Sequence, residues 1–416
     1  MPTLPDHATT QHHRQQFPAL GNKAYFNYGG QGPMAESALV AMRQTHDKIQ
    51  RAGPFSNQIN GWLQAEGRLT RQAIAAEVGA PEAAITLTED VTVGCNIPLW
   101  GIDWQAGDHI LLTDCEHPGV IAAVQELSRR YQLEVSICRL LPELNRGNPV
   151  ELIAAALRPQ TRLVVVSHIL WNTGQVLPLA EIVQLCHSHR PRPVWLLVDA
   201  AQSVGVLPLD LTALQADFYA FTGHKWWGGP AGLGGLYIRP EILDEVHPTF
   251  IGWRGIQVDE AAQPTGWQPD GRRFEIATSD YALYGGLRTA IALQNQWGSA
   301  DQRYRRICQL SADLWQRLQK IPQIACLCDS PPAAGLVSFQ IMADGQPCPE
   351  RHNQLVKTLE DQGIFVRTLL FPHCVRACVH YLTLEAEVDR LVSAIEQFVA
   401  QAAPHSPGSL HKAPAD

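Results

Sequence analysis

Through the middle of the chain, short apolar runs alternate with longer segments whose apolar residues recur every three or four positions. The runs at 110–113, 134–140, 163–169, 195–198, 218–221 and 235–238 are rich in leucine, β-branched and aromatic residues and have the length of strands. The segments 119–131, 150–157 and 179–187 carry helical spacing, and Pro118 and Pro149 stand at the start of the first two, where a helix does not use the missing N–H. Such alternation predicts a largely parallel sheet covered by helices on both faces, which explains why the strands are apolar almost throughout. In sheets of this kind ligands gather at the carboxyl ends of the strands. His117, Asn172, Asp199, Gln202, His224 and Lys225 each follow a strand-like run, so they are expected to converge on one crevice.

A second pattern begins past the Gly- and Pro-containing stretch 252–273. Helical spacing at 304–318, 352–362 and 384–400, with strand-like runs at 335–341 and 365–368, predicts an α+β layout. A chain of 416 residues is long for a single core. The expected division is a large domain over 21–270 and a smaller one built from 1–20 and 271–402. The Pro-, Ser-, His- and Ala-rich end, 403–416, is expected to be disordered.

Charge and composition narrow the ligand class. A net charge of -8 supplies no basic field for nucleic acid or an anionic membrane, so small molecules are the expected ligands. Residues 1–17 are polar and lack the apolar centre of a secretion signal, and no uncharged apolar stretch nears bilayer-spanning length. A cytoplasmic protein is expected. Of the 10 cysteines, several such as Cys138 and Cys186 sit inside apolar runs, where a thiol behaves as a small hydrophobe, and no disulfides are expected. Cys326-Leu327-Cys328 lacks the gap of a zinc half-site and His187-Ser188-His189 has no companion pair, so no metal site is expected either. The glycine cluster from Gly228 to Gly235 follows Lys225-Trp226-Trp227, contains Pro230 and leads into a strand, which is not the strand-to-helix context of a dinucleotide loop.

The chemistry rests on two strand ends. Val198-Asp199-Ala200-Ala201-Gln202 closes one apolar run, and Thr222-Gly223-His224-Lys225 closes the next. A lysine amine can join covalently to pyridoxal 5'-phosphate (PLP), and a carboxylate facing the pyridine nitrogen keeps that ring protonated and electron-withdrawing. With His224 and Gln202 in place, the pair resembles the cofactor anchor of the class V aminotransferase and cysteine desulfurase family of PLP enzymes. The resemblance runs from Tyr25 to Ala400. It implies an α/β protein of the PLP-dependent transferase fold type I, whose large domain holds a mostly parallel seven-stranded sheet beside a smaller α+β domain.

Residue by residue, the family pattern assigns further roles. Tyr25 to Gly30 resembles the opening strand and small-residue turn beside the substrate, which makes Gly30 a substrate contact. The stretch from Leu87 to Asn96 sits at the family's phosphate loop and enters a helix, so the amide of Val91 and Thr92 are the implied phosphate ligands, and Thr222 and His224 are further implied cofactor contacts. Glu89 and Asp90 depart from the small or basic residues usual there and are expected to point away. Glu116-His117-Pro118 resembles the Glu-His pair whose imidazole stacks on the pyridine face. Trp171-Asn172-Thr173-Gly174 resembles the Asn-x-x-Gly stretch near the cofactor's phenolic oxygen and the substrate, with Gln202 the stronger partner of that oxygen. Arg273 to Thr278 resembles the segment whose threonine crosses a two-fold axis to the other subunit's phosphate, which implies a homodimer with shared sites. Arg376, in Val375-Arg376-Ala377-Cys378, is the implied clamp for the substrate carboxylate, and Arg254 is the next candidate.

One departure separates this chain from the desulfurases. Those enzymes carry a cysteine-bearing loop after an Arg-Thr pair, whereas Arg367-Thr368 here runs at once through Leu369-Leu370-Phe371-Pro372-His373 to Arg376. Cys374 is the only thiol nearby. Without a thiol nucleophile, Lys225 is left to remove the α-proton while a sulfur on the β-carbon departs, giving pyruvate and ammonia. A disulfide substrate suits this route, because a persulfide is a weaker base than a thiolate and leaves with less help. The resemblance therefore implies carbon–sulfur β-elimination on L-cystine or L-cysteine, with a sulfur acceptor protein as a further partner and iron–sulfur cluster assembly as a destination for the sulfur. A cysteine desulfurase would give alanine instead, an aminotransferase would need a keto-acid acceptor, and a non-catalytic PLP-fold binding module would bind the cofactor without discharging it.

Overall fold

The computed structural model describes residues 3–401, so the expectation of disorder at 403–416 falls outside the described residues. Seven strands form the main sheet: β1 (Ile85–Thr88), β2 (His109–Thr113), β3 (Glu134–Cys138), β4 (Thr161–Ser167), β5 (Trp195–Asp199), β6 (Phe218–Thr222) and β7 (Gly234–Ile238). Their spatial order is β1-β7-β6-β5-β4-β2-β3, and β7 alone is antiparallel to its neighbours. Alternate side chains explain the continuous apolarity. Leu196 and Val198 of β5 enter one core and Leu197 enters the other, and β4 divides Val164 and Val166 from Leu163 and Val165 in the same way. Ser167 is in register with Asp199, so β4 and β5 end level, and Asp199 is in register with Ala220, so β6 runs two residues further.

The smaller layer is an antiparallel sheet of β8 (Ile324–Cys326), β9 (Leu336–Ala343), β10 (Arg367–Leu370) and β11 (His373–Cys378), in the order β8-β9-β11-β10. The helices Ala300–Leu318, Pro349–Asp361 and Glu385–Gln401 share its core. The expected strand at 365–368 is instead divided: Ile364–Phe365 pairs in parallel with Ala24–Tyr25, and the chain then turns into the β10–β11 hairpin.

Packing moves the expected domain boundaries. Ala24 and Phe26 lie in the core of the smaller layer, while Tyr284, Leu287 and Ile291 of the helix Ala282–Trp297 lie in a core of the main sheet. The helix Ala282–Trp297 packs along Glu36–Ala52 and Asn57–Val78, so it belongs with the large domain and not with 271–402. Periodicity identifies a helix without saying which core receives its apolar face.

Candidate active site

A cleft of about 280 Å³ opens where the strand ends meet the smaller layer. Gly30, Val91, Thr92, His117, Asp199, Gln202, His224, Lys225 and Arg376 all line it. Lys225 follows β6 and Asp199 ends β5, so adjacent parallel strands bring the amine and the carboxylate together. Burial pushes the Lys225 amine down to about 8, with Asp199 opposing the shift and Arg376 reinforcing it. Burial raises the pKa of Asp199, while the N–H of Ala201, at 2.9 Å from its Oδ1, and the nearby Lys225 amine and His117 ring hold it back. A carboxylate placed there is short of donors and suited to a protonated ring nitrogen.

Two approaches depend on glycine. A Cβ on Gly29 would lie 2.8 Å from Nη2 of Arg376, and one on Gly32 would lie 2.0 Å from the main-chain oxygen of Lys225. The turn at 29–32 can therefore lie against the Arg376 guanidinium and the main chain of Lys225. Arg376 is 2% exposed, donates from Nη1 to the oxygen of Trp171 at 2.7 Å, and leaves its Nε without a partner. A buried guanidinium with unused donors at a cleft wall fits a carboxylate.

His117 caps the helix Pro118–Tyr131, accepting the Gly119 N–H at Nδ1. That bond puts the neutral ring's proton on Nε2. The ring packs edge-on to Trp171 at 5.8 Å. Gln202 is committed on both sides: its Nε2 donates to the oxygen of Gly29 at 3.0 Å and its Oε1 accepts from Trp226 at 2.8 Å. One N–H remains for a ligand. Thr222 is fully buried and hydrogen-bonds Nδ1 of His224 at 2.6 Å, behind the cleft wall.

Several expectations are revised. Asn172 does not line the cleft. It is fully buried, donates to the oxygen of Phe371 at 3.2 Å and leaves its Oδ1 unpartnered. Arg254 faces a different cavity, of about 1020 Å³, and is tied to Glu275 at 2.6 Å and to Ala277, Ser279 and Tyr284. The ion pair with a residue 21 positions later takes it out of reach of the carboxylate site. Thr278, expected to serve the other subunit's phosphate and not its own, is exposed and outside the cleft of its own chain, which leaves that expectation as it was. Asp90 does not point away: its Oδ1 accepts the Val93 N–H at 3.0 Å, and it lines the cleft beside Val91 and Thr92.

Sequence reasoning passed over other lining residues. Arg367 stands opposite Arg376 in the β10–β11 register, and its side chain makes no hydrogen bond or ion pair among the described residues. Ser167 lines the cleft and donates to Glu116 at 2.8 Å. Glu116 is 2% exposed, and burial pushes its carboxyl up to about 8 against hydrogen bonds from Thr113 and Ser167. Only two residues, Phe371 and Pro372, join β10 to β11. Cys374 is fully buried on β11, and burial pushes its thiol up to about 12.

A mostly parallel seven-stranded sheet with this lysine and aspartate at neighbouring strand ends is the fold type I architecture. A class V aminotransferase model matches residues 57–393, and the chain belongs to that family. The structure of the cystine C–S lyase C-DES in complex with its reaction product cysteine persulfide superposes with a TM-score of 0.89, at 48% identity over 92% of this chain and 100% of that one. A C-DES mutant with glycine covalently linked to its PLP cofactor gives a TM-score of 0.90 at 47% identity over 95% of this chain and 100% of that chain. Among sequences, isopenicillin N epimerase of Streptomyces clavuligerus is 30% identical over 90% of this chain and 94% of its own length.

Proposed function

We propose that this protein is a PLP-dependent carbon–sulfur lyase that cleaves L-cystine, and L-cysteine in the same manner, releasing persulfide or sulfide with pyruvate and ammonia. The likeness to C-DES supports the reaction class. The two-residue turn at Phe371-Pro372 carries the choice of chemistry, because it leaves a lysine and a carboxylate clamp in the cleft and no accessible thiol.

The residues present fit the cofactor. Lys225 would bind it covalently, Asp199 would face its ring nitrogen, Gln202 has one N–H free for its phenolic oxygen, and His117 would cover the ring. The first amides of the helix Val91–Gly101 have no acceptor within the helix and suit a phosphate. When bound, PLP supplies an electron sink for the pair released from the substrate α-carbon.

The chain's own groups do the rest. Arg376 grips the α-carboxylate and turns the α-hydrogen toward Lys225. With its pKa near 8, the Lys225 amine accepts that proton at neutral to mildly alkaline pH. The electrons of the broken C–H bond form the α–β double bond as the carbon–sulfur bond breaks, and its pair leaves on sulfur. Hydrolysis of the resulting enamine gives pyruvate and ammonia.

No helix among the described residues is long and apolar enough to cross a membrane. The described cysteines are all free, which suits a reducing cytoplasm, where a sulfur acceptor protein serving iron–sulfur cluster assembly would collect the persulfide. The exposed side chain Ile276 lies two residues before Thr278, and the neighbouring Gly252-Trp253 strip packs against it with Trp253 exposed, which suits a homodimer in which Thr278 reaches the other subunit's phosphate site. The test is product analysis with labelled cystine and cysteine. Pyruvate supports the proposal, labelled alanine replaces it with a desulfurase, and inverted substrate without pyruvate replaces it with an epimerase.

A further inference from the structure

The helix that opens onto the cleft brings an anion of its own to the place where a phosphate would bind. Asp90 is the N-cap of Val91–Gly101, in extended conformation, with its Oδ1 on the Val93 N–H at 3.0 Å. Its main-chain oxygen accepts from the Thr88 hydroxyl at 2.9 Å and from the Gly94 amide at 3.0 Å, so the residue is held from both sides. It lines the cleft beside Val91, Thr92, His224 and Lys225, whereas Glu89 is exposed. The third amide of the helix is thus taken by a carboxylate, and the first two are left for a ligand.

We propose that Asp90 keeps the cofactor exchangeable: its carboxylate caps the helix and opposes the cofactor's phosphate at the same helix terminus. This rests on the PLP reading above. A helix N-terminus favours one anion modestly, and a second, doubly charged one within the same turn meets a repulsion that partial burial strengthens. The cap itself does not need the charge, since Asn and Ser cap as well as Asp. Charge and cap are therefore separable by substitution.

The experiment measures release of bound PLP from the full-length protein, by the loss of its visible absorbance into excess apo-acceptor, for wild type, Asp90→Asn, Asp90→Ser and the exposed control Glu89→Gln. Both neutral caps are expected to slow release about tenfold, with the control unchanged. In a parallel arm, inorganic phosphate is titrated against the thermal midpoint of the cofactor-free proteins. The neutral variants are expected to reach half-maximal stabilisation at about a tenfold lower phosphate concentration. Equal or faster release in both neutral variants, or unchanged phosphate response, overturns the role of Asp90. A wild-type protein that takes up no PLP while the phosphate arm behaves as expected overturns the cofactor reading instead, and leaves Asp90 as an anion opposing phosphate alone.

Discussion

Replacing Arg376 with lysine tests the carboxylate clamp most directly. The guanidinium spends Nη1 on the Trp171 oxygen at 2.7 Å and still has its second terminal nitrogen for a ligand, while its Nε is buried without a partner. A lysine ammonium is a single point that must choose between Trp171 and the substrate, and it cannot present two parallel N–H groups. A hydrogen bond to a charged group is worth about 1.5–3 kcal/mol, so losing one of two lowers kcat/KM by about 10- to 150-fold. The loss belongs in KM, because the clamp holds the carboxylate alike before and during proton removal. The assay is pyruvate release against cystine concentration, paired with titration by glycine, which cannot eliminate, and with the visible spectrum of the bound cofactor. Arg376→Ala is expected to weaken glycine binding further and leave the spectrum unchanged. Unchanged affinity for cystine and glycine in both variants would refute the clamp, and Arg367, across the hairpin, would be the next side chain to test.

Cys374→Ser is expected to keep most activity, since a fully buried thiol with its pKa near 12 holds no nucleophilic thiolate; a loss of about 100-fold or more would return the desulfurase reading. Lys225→Ala is expected to abolish turnover, and wild-type uptake of PLP by the cofactor-free protein should accelerate as pH rises through about 8, where the Lys225 amine loses its proton; a rate flat from pH 7 to about 9 would contradict the depressed value. Glu116 binds its proton in the folded state up to about pH 8 but near 4.5 when unfolded, so its contribution is full below the lower value and is lost as pH rises through the higher one. Glu116→Gln should therefore remove a decline of about 1.4 kcal/mol per pH unit in stability between those values, measured by denaturant melts of the cofactor-free protein, and an unchanged slope would rule this out.

The sheet was legible because its physics is local: a strand buried on both faces must be apolar at successive positions, and β2, β4, β5, β6 and β7 all announce themselves that way. The cleft followed, since Asp199 and Lys225 end neighbouring parallel strands. The failures share a cause. Arg254 and Asp90 both owe their placement to partners that periodicity does not report, an ion pair with Glu275 and a hydrogen bond to Val93. A phosphate loop and an ordinary helix cap are also written in the same residue types, so no pattern of spacing could say which way the Asp90 carboxylate turns. Glu116 is recognisable in the sequence as one of a Glu-His pair, but its unusual protonation comes from burial under Ser167 and Thr113, which only the assembled sheet supplies.

The reaction assigned to this cleft depends on the length of a turn more than on the identity of any side chain within it. Two residues between β10 and β11 set Arg367 directly across from Arg376 and bring the oxygen of Phe371 to the Asn172 amide. A longer, thiol-bearing connection that withdrew that carbonyl would strip its hydrogen bond from a fully buried Asn172, whose Oδ1 already lacks a partner. A buried amide stripped in this way costs roughly 1–3 kcal/mol, so the surroundings of the hairpin favour the short turn independently of its catalytic effect. Leu370, 80% exposed, and Phe371 then stand at the tip where a mobile nucleophile would otherwise reach in, and they offer no group able to take sulfur. What leaves the β-carbon must therefore leave as a free anion, which favours substrates whose departing sulfur is already a good leaving group, a disulfide before a thiol.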